Sequence, residues 1–164
     1  MSVHRAVFVR HSKAKRYSAG GDINRSLTDE GRQRARYLGQ KLSAYLHGAG
    51  KILVSPATRA QETLTEILAG AGVELGSIPC TEVPAIYFGG AEEILDALRT
   101  WGEGKVVVIV GHEPTISEVA NLVASPSLDV PAGVPVASAI TIEADQEWAD
   151  WWPHIGKNSD FLMA

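Results

Sequence analysis

Short runs of apolar residues alternate along the 164-residue chain with longer segments of helical periodicity. Uniformly apolar runs at residues 6–9, 52–54 and 106–110 predict buried strands, because a strand covered on both faces shows no alternation of apolar and polar positions. The last of these runs is the longest and predicts a central parallel strand. Towards the C-terminus, residues 135–144 and 146–152 predict the two strands of an antiparallel hairpin.

Four segments carry helical signals. Thr28 is a capping residue followed by two acids and by apolar residues at helical spacing, and this pattern ends at Gly48. Ser55 is a second candidate N-cap, with Pro56 at the first helical position, where its missing N–H is not needed. Two further helices are predicted over residues 91–102 and from Pro114 onwards.

The alternation of strands and helices predicts an α/β fold, in which helices cover both faces of one sheet. We expect a three-layer α/β/α sandwich with a mostly parallel central sheet and a C-terminal antiparallel hairpin. The length predicts one domain spanning residues 1–164, long enough to bury a sizeable core. In sheets of this kind, ligands bind beyond the carboxyl ends of the strands.

Composition and charge exclude several classes of protein. The formal net charge of −4 gives no reason to expect binding to nucleic acid or to membranes, and no apolar stretch reaches the length of a transmembrane helix. Cys80 is the only cysteine, which excludes an internal disulfide and a multi-cysteine metal site. The N-terminus has no apolar signal-peptide core, and we therefore expect a cytoplasmic protein.

Polar residues of related character follow the three predicted buried strands. Arg10 and His11 follow the first strand, and His112 follows the third. Ser55 follows the second strand, with Arg59 one helical turn later. If the strands are parallel neighbours, these residues meet at one edge of the sheet. Arginine side chains and helix N-termini both suit tetrahedral oxyanions, so the convergence predicts a phosphate site.

Three ordered motifs resemble the signature of the histidine phosphatase superfamily, which has the phosphoglycerate-mutase-like fold. They are VRHSKA at residues 9–14, SPATRAQET at 55–63 and VGHEPTIS at 110–117. Their order and spacing agree with the family over residues 3–123. The C-terminal stretch ASAITIE is similar to the short branch typified by the SixA phosphohistidine phosphatase. One departure is Ser12, where the family usually has glycine.

The resemblance implies a phosphatase mechanism that uses no metal and no other cofactor. His11 is the implied nucleophile, which forms a covalent phosphohistidine. Arg10, Arg59 and His112 are the implied catalytic ligands of the non-bridging oxygens. The stretch from Ser2 to Arg16 contains five Lys or Arg and no acid. We therefore expect further phosphate contacts from Ser12, Lys13 and Arg16, which follow His11.

The motifs do not identify the general acid, the residue that protonates the leaving group. Larger members of the superfamily carry a glutamate that protonates the leaving group. Glu82 is the candidate for this role here and Glu113 is a weaker one. Both glutamates also fit as ordinary solvated charges. An alkoxide leaving group, with a pKa near that of water at about 15.7, needs a proton far more than an imidazole with a reference pKa of about 6.5. Only 23 residues separate Glu82 from Val106, which leaves no room for a lid subdomain.

We therefore expect an enzyme that removes phosphate from phosphohistidine on a protein partner and releases inorganic phosphate. A phosphomonoesterase acting on small phosphorylated metabolites, on the same fold, is the alternative. A phosphate-recognition module without activity is the alternative from another class, and the presence of all four expected catalytic residues speaks against it. Neither nucleic acid nor a membrane is an expected partner.

Overall fold

A computed structural model describes residues 3–164 and contains a six-stranded sheet with helices on both faces. The strands are β1 (His4–Arg10), β2 (Ala49–Val54), β3 (Cys80–Glu82), β4 (Val106–Gly111), β5 (Ser138–Ala144) and β6 (Asn158–Met163). The helices are α1 (Asp29–Lys41), α2 (Ser43–His47), α3 (Thr58–Ala71), α4 (Ala85–Phe88), α5 (Ala91–Trp101) and α6 (Thr115–Val123), and two short 3-10 turns lie at Asp22–Asn24 and Trp148–Asp150.

The sheet has the strand order β3-β2-β4-β1-β5-β6. The first four strands of this order are parallel, whereas β5 runs antiparallel to both β1 and β6. Every residue of β4 is buried, which confirms the predicted central strand. The register pairs Arg10 with Gly111 and Val54 with Val110, so the carboxyl ends of β1, β2 and β4 lie side by side.

Alternate residues of β1 enter two separate hydrophobic cores. Ala6 and Phe8 pack on one face with residues of α5 and α6, whereas Val7 and Val9 pack on the other face with residues of α1 and α3. All four side chains are fully buried. A strand buried on both faces has no polar side to show, and this is why its sequence is uniformly apolar. The predicted three-layer α/β/α fold is confirmed.

Two predicted helix boundaries differ from the structure. The first predicted helix is interrupted at Leu42, which ends α1 and precedes the short α2. The second helix begins at Thr58 with Ala57 as its N-cap, so Ser55 is not the capping residue. Ser55 instead extends the sheet, because its N–H donates to the Val110 carbonyl of β4 at 3.1 Å.

The predicted C-terminal hairpin is correct in kind but wrong in its second strand. β5 pairs with β6, whereas residues 146–152 form a turn around Trp148–Asp150. Trp148 and Trp151 stand three positions apart and are both buried in the core beneath α5. Their indole N–H groups donate to the carbonyls of Gly104 and Gln146, so this segment satisfies its polar groups without a strand partner. Across residues 3–164, no helix combines the length and hydropathy needed to cross a membrane.

Candidate active site

The carboxyl ends of β1, β2 and β4 bring the predicted residues to one edge of the sheet. His11 continues the ladder beyond β1, because its N–H donates to the Gly111 carbonyl at 2.9 Å. This backbone contact places His112 directly beside it, with the centroids of the two imidazole rings 5.2 Å apart and the planes inclined at 59°. The two histidines, which are 101 positions apart in the chain, therefore share one pocket.

Arg59 joins this pair from the first turn of α3. Its side chain is only 8% exposed, and its Nε donates to His11 Nε2 at 3.3 Å. The rest of the guanidinium is held by Asp22, whose carbonyl accepts from Nη1 at 2.9 Å and whose Oδ2 accepts from Nη2 at 3.2 Å. Arg59 is therefore fixed at both ends, with one N–H directed at the imidazole of His11.

The hydrogen bonds of His11 select one neutral tautomer. Its Nδ1 lies 2.7 Å from the Ser12 carbonyl, which can only accept, so Nδ1 carries the proton. Nε2 then keeps its lone pair and accepts from Arg59. Burial lowers the pKa of His11 to about 3. The hydrogen bond to the Ser12 carbonyl opposes this shift, and the positive charges of Arg59 and Arg10 add to it. His11 is consequently uncharged at neutral pH, with the lone pair of Nε2 directed at the Arg59 guanidinium.

His112 is held by a serine from the neighbouring strand. The Oγ of Ser55 lies 2.8 Å from His112 Nε2, and the same Oγ accepts from the Ala57 N–H at 3.1 Å. Burial lowers the pKa of His112 to about 4, and the charge of Arg59 adds to this effect. The ring of Tyr87 packs edge-on against His112, with centroids 5.5 Å apart. The His112 ring is therefore neutral and fixed in orientation.

Arg10 completes the group of four residues. Its Nη1 donates to the Val134 carbonyl at 2.7 Å, which ties the loop before β5 to the end of β1. Arg10 Nε and His112 Nδ1 are buried and have no hydrogen-bond partner within residues 3–164. Buried polar atoms are nearly always paired in proteins, so the two at this edge are available to a polar ligand; a third, His4 Nδ1, lies at the opposite end of β1.

The structure places the three other predicted phosphate contacts in three different surroundings. The Ser12 side chain is fully buried and donates to the Gly31 carbonyl at 2.6 Å, which turns it towards α1 and away from the two imidazoles. Lys13 forms an ion pair with Glu30 at 2.6 Å on the surface. Arg16 is exposed and lines a cavity of about 200 Å³ together with Tyr17, Ser18, Gly21, Asp22 and Arg25. Asp22 also binds Arg59, so this cavity adjoins the two histidines.

The two predicted acids also occupy other positions. Glu82 is exposed at the end of β3 and accepts from Gln61 Nε2 at 3.1 Å. Within residues 3–164 no hydrogen bond or ion pair joins it to the two histidines or to the two arginines. Glu113 accepts from the backbone N–H groups of Ser117 and Val134. It therefore secures the start of α6 and the loop before β5.

The carboxylate that does reach the site is Asp22, which the sequence reasoning missed. It accepts hydrogen bonds from Tyr87 at 2.6 Å, from Arg25 at 2.9 Å and from Arg59. The bonds from Tyr87 and Arg25 hold the pKa of Asp22 well below its usual range. A signal was present, because Asp22 is the only acid in the first 28 residues. Nothing in the local sequence marks Tyr87.

Comparison with known proteins agrees with this geometry. Residues 6–84 match the histidine phosphatase superfamily (branch 1). An uncharacterized protein of Mycobacterium tuberculosis, Rv1276c, is 30% identical over 118 residues, which cover 71% of this chain and 70% of the relative. The chain belongs to the histidine phosphatase superfamily. It is therefore a hydrolase of a class that needs no metal ion.

The likeness to one solved structure places this histidine phosphatase in the SixA-type branch, and a second structure has the same fold. A SixA-type protein from Nakamurella multipartitia is 25% identical with a TM-score of 0.77, and the match covers 98% of this chain and 96% of that one. The protein histidine phosphatase SixA complexed with tungstate has the same fold, with 21% identity, a TM-score of 0.75 and coverage of 96% and 94%. Both chains match almost end to end, so the resemblance extends well beyond the motif segments.

Proposed function

We propose that this histidine phosphatase removes the phosphoryl group from phosphohistidine on a partner protein, by way of a covalent phosphohistidine at His11. The observation that carries the proposal is the state of His11, a neutral imidazole whose Nε2 lone pair faces the guanidinium of Arg59. A nucleophile of this kind needs no base to deprotonate it. The surrounding cations suit the charge of a phosphoryl group.

The reaction follows from these positions. His11 Nε2 attacks phosphorus, the bond from phosphorus to the leaving group breaks, and water then hydrolyses the phosphorylated His11 to release inorganic phosphate. Arg10 and Arg59 neutralise the non-bridging oxygens. The buried Arg10 Nε is a free donor for such an oxygen, and one preorganised donor can lower the barrier by about 3–4 kcal/mol.

The chemistry of the leaving group supports a P–N substrate. Asp22, the carboxylate at the site, is ionised and cannot serve as a proton donor near neutral pH. Glu82 lies at the sheet edge in contact with Gln61. An alkoxide, with a pKa near 15.7, would therefore leave without a well-placed acid, whereas an imidazole with a reference pKa of about 6.5 needs much less assistance.

The open mouth of the pocket supports a protein substrate. The segment between β3 and β4 consists of α4 and α5, and α5 packs on the sheet through buried residues such as Ile94 and Leu98. Two exposed aromatic side chains lie nearby. Tyr17 is 78% exposed and lines the cavity that Asp22 also lines, and Phe88 is 74% exposed and packs on Tyr87. Aromatic residues and arginine are enriched in protein interfaces, and Arg16 stands beside Tyr17.

The test compares substrates on the same enzyme. We expect faster turnover of a phosphohistidine-bearing phosphocarrier protein than of sugar phosphates, and an acid-labile phosphoryl group on His11 after rapid quenching. Replacement of both rim aromatics (Tyr17→Ala with Phe88→Ala) should lower kcat/KM about tenfold for the phosphoprotein and much less for p-nitrophenyl phosphate, because only the protein is large enough to contact both rings. Substantially faster hydrolysis of sugar phosphates would instead favour an enzyme of small metabolites.

A further inference from the structure

Asp22 holds an unusual position for a carboxylate in a phosphate site. Oδ2 accepts from the Tyr87 hydroxyl at 2.6 Å and from Arg59 Nη2 at 3.2 Å, and Oδ1 accepts from Arg25 Nε at 2.9 Å. An ionised carboxylate offers about four acceptor positions. Three are used, so one position on Oδ1 remains open. The side chain is 54% exposed, so this last position is accessible from solvent.

The exposure of Asp22 suits the leaving-group side of the site. In-line displacement requires the leaving group to depart on the side of phosphorus opposite to the nucleophile. His11 is largely buried at the sheet edge and Arg59 is almost fully buried, whereas Asp22 lies over the outer end of Arg59 and is exposed. A leaving group that departs from His11 past the outer end of Arg59 would pass beside Asp22 and its hydrogen-bond partner Tyr87.

The phosphorylated imidazole of a phosphohistidine has a second ring nitrogen, and its protonation decides how easily the ring departs. If that nitrogen carries a proton, the ring leaves as neutral imidazole. Without the proton, the ring must leave as an imidazolate anion, which is far more basic. A carboxylate that accepts a hydrogen bond from this N–H favours the protonated ring.

We propose that Asp22 is a specificity-determining residue, which accepts a hydrogen bond from the second ring N–H of the phosphohistidine substrate and thereby selects P–N over P–O substrates. This inference rests on the proposed function. In the step, a bond forms between His11 Nε2 and phosphorus while the substrate P–N bond breaks. The electron pair of the broken bond moves to the departing nitrogen, and the other nitrogen keeps its proton. Asp22 only accepts the hydrogen bond.

The enzyme's own histidine shows the same arrangement. His11 Nδ1 donates to the Ser12 carbonyl at 2.7 Å, so the nitrogen that does not react is held in its protonated form. With Asp22 acting on the substrate ring, both imidazoles that exchange the phosphoryl group have an oxygen acceptor on the nitrogen remote from phosphorus. The phosphoryl group then passes between two rings in matched protonation states, and no proton has to move in the transfer step.

The test is the ratio of kcat/KM for free phosphohistidine to kcat/KM for p-nitrophenyl phosphate, whose leaving group has no N–H to donate. Asp22→Asn has nearly the same shape but no charge, and we expect the ratio to fall about tenfold or more because a charge-assisted hydrogen bond is lost. The alkaline limb of kcat for phosphohistidine should also move to lower pH, since the protonated ring is favoured less. The ratio does not depend on the fraction of folded enzyme.

Two control variants sharpen this test. Glu74→Gln removes one exposed negative charge beyond the far end of α3, about 20 Å from Arg59 along that 14-residue helix, and should leave the ratio unchanged. Tyr87→Phe keeps the Asp22 carboxylate and should change the ratio by less than about threefold. A collapse of the ratio in Tyr87→Phe would overturn the proposal, because the hydroxyl and not the carboxylate would then be the selective group.

The outcomes separate this inference from the proposed function. If the unmodified enzyme hydrolyses phosphohistidine and labels His11, but Asp22→Asn slows both substrates equally, Asp22 only orients Arg59 and the inference fails while the function stands. If the unmodified enzyme hydrolyses the aryl ester but not phosphohistidine, the proposed function fails and the inference fails with it.

Discussion

A histidine lies at each end of β1, and each packs against the ring of another residue. Comparison of their surroundings shows why only one of them is a candidate nucleophile. At the amino end, His4 is 3% exposed, its ring meets Trp148 edge-on at 5.3 Å, and its Nε2 lies 3.2 Å from Glu147 Oε2. At the carboxyl end, His11 lies 5.2 Å from the ring of His112 and accepts from the guanidinium of Arg59.

The partners differ because the two ends of a parallel sheet differ. The carboxyl ends of β2 and β4 lead into α3 and α6, whose first turns direct N–H groups and side chains towards the same edge. The amino end of β1 instead meets the turn around Trp148–Asp150, which supplies an acid and an indole. A histidine beside an acid and a tryptophan has a packing role, whereas a neutral histidine among arginines can attack an anion.

The largest expected effect is the difference in activity between the same substitution made at His11 and at His4, at the two ends of β1. His11→Gln should lower kcat/KM for p-nitrophenyl phosphate about 10⁴-fold or more, because the nucleophile is lost. His4→Gln should keep kcat/KM within about twofold of the unmodified enzyme, since His4 lies at the opposite end of the strand from the pocket. Steady-state assays of both variants, with circular dichroism as the folding check, measure the difference. Comparable activity in the two variants would remove the basis of the comparison.

A second contrast compares Arg59, in the first turn of α3, with Arg5, near the amino end of β1. Arg59→Met should reduce kcat/KM about 10²–10³-fold, because it removes the donor to His11 Nε2 and a charge that faces the phosphoryl oxygens. Arg5→Met is the matched control, since Arg5 pairs with Glu143 and stacks on Tyr45 near the amino end of β1. We expect its kcat/KM to change by less than about twofold. A loss in Arg5→Met as large as in Arg59→Met would show that general destabilisation is being measured.

The smallest expected effect is on stability at acid pH. The pKa of His11 is lowered to about 3 and that of His112 to about 4 in the folded protein, against an ordinary value of 6.5. Unfolding therefore takes up protons between these limits. Stability is therefore highest above pH 6.5 and falls as the pH drops towards the folded-state values. At pH 5 the two rings together should cost about 2 kcal/mol after allowance for partial solvent screening.

Urea unfolding at pH 7.5 and pH 5.0 measures this loss. The double variant His11→Asn with His112→Asn should lose about 2 kcal/mol less between the two pH values than the unmodified protein. His154→Asn is the control, because His154 is exposed at a positive φ of 71° that asparagine tolerates, and its loss should match that of the unmodified protein. Equal losses in all three proteins would mean that the two pocket rings are not held neutral by the fold.

Much of this fold and site was predictable because its signals are local. Thr28 caps α1 as predicted, with its side chain accepting from the Gly31 N–H at 2.9 Å, since capping depends on residues three positions apart. The buried strand β4 was visible as a run of apolar residues. The partner of β5 was not predictable in the same way, because the tryptophans after it have strand-like composition but pack at a spacing of three residues.

The sequence by itself determined the order of buried strands and the residues that follow them, and in a parallel sheet that order is enough to bring Arg10, His11, Arg59 and His112 to one edge. Only the tertiary structure decided what surrounds them. Asp22 meets Arg59 across 37 positions and Tyr87 across 65, and Ser12 turns away from the pocket to Gly31. Such contacts depend on the path of loops and on which side chains the core has already filled, and neither is encoded in a local pattern of residues.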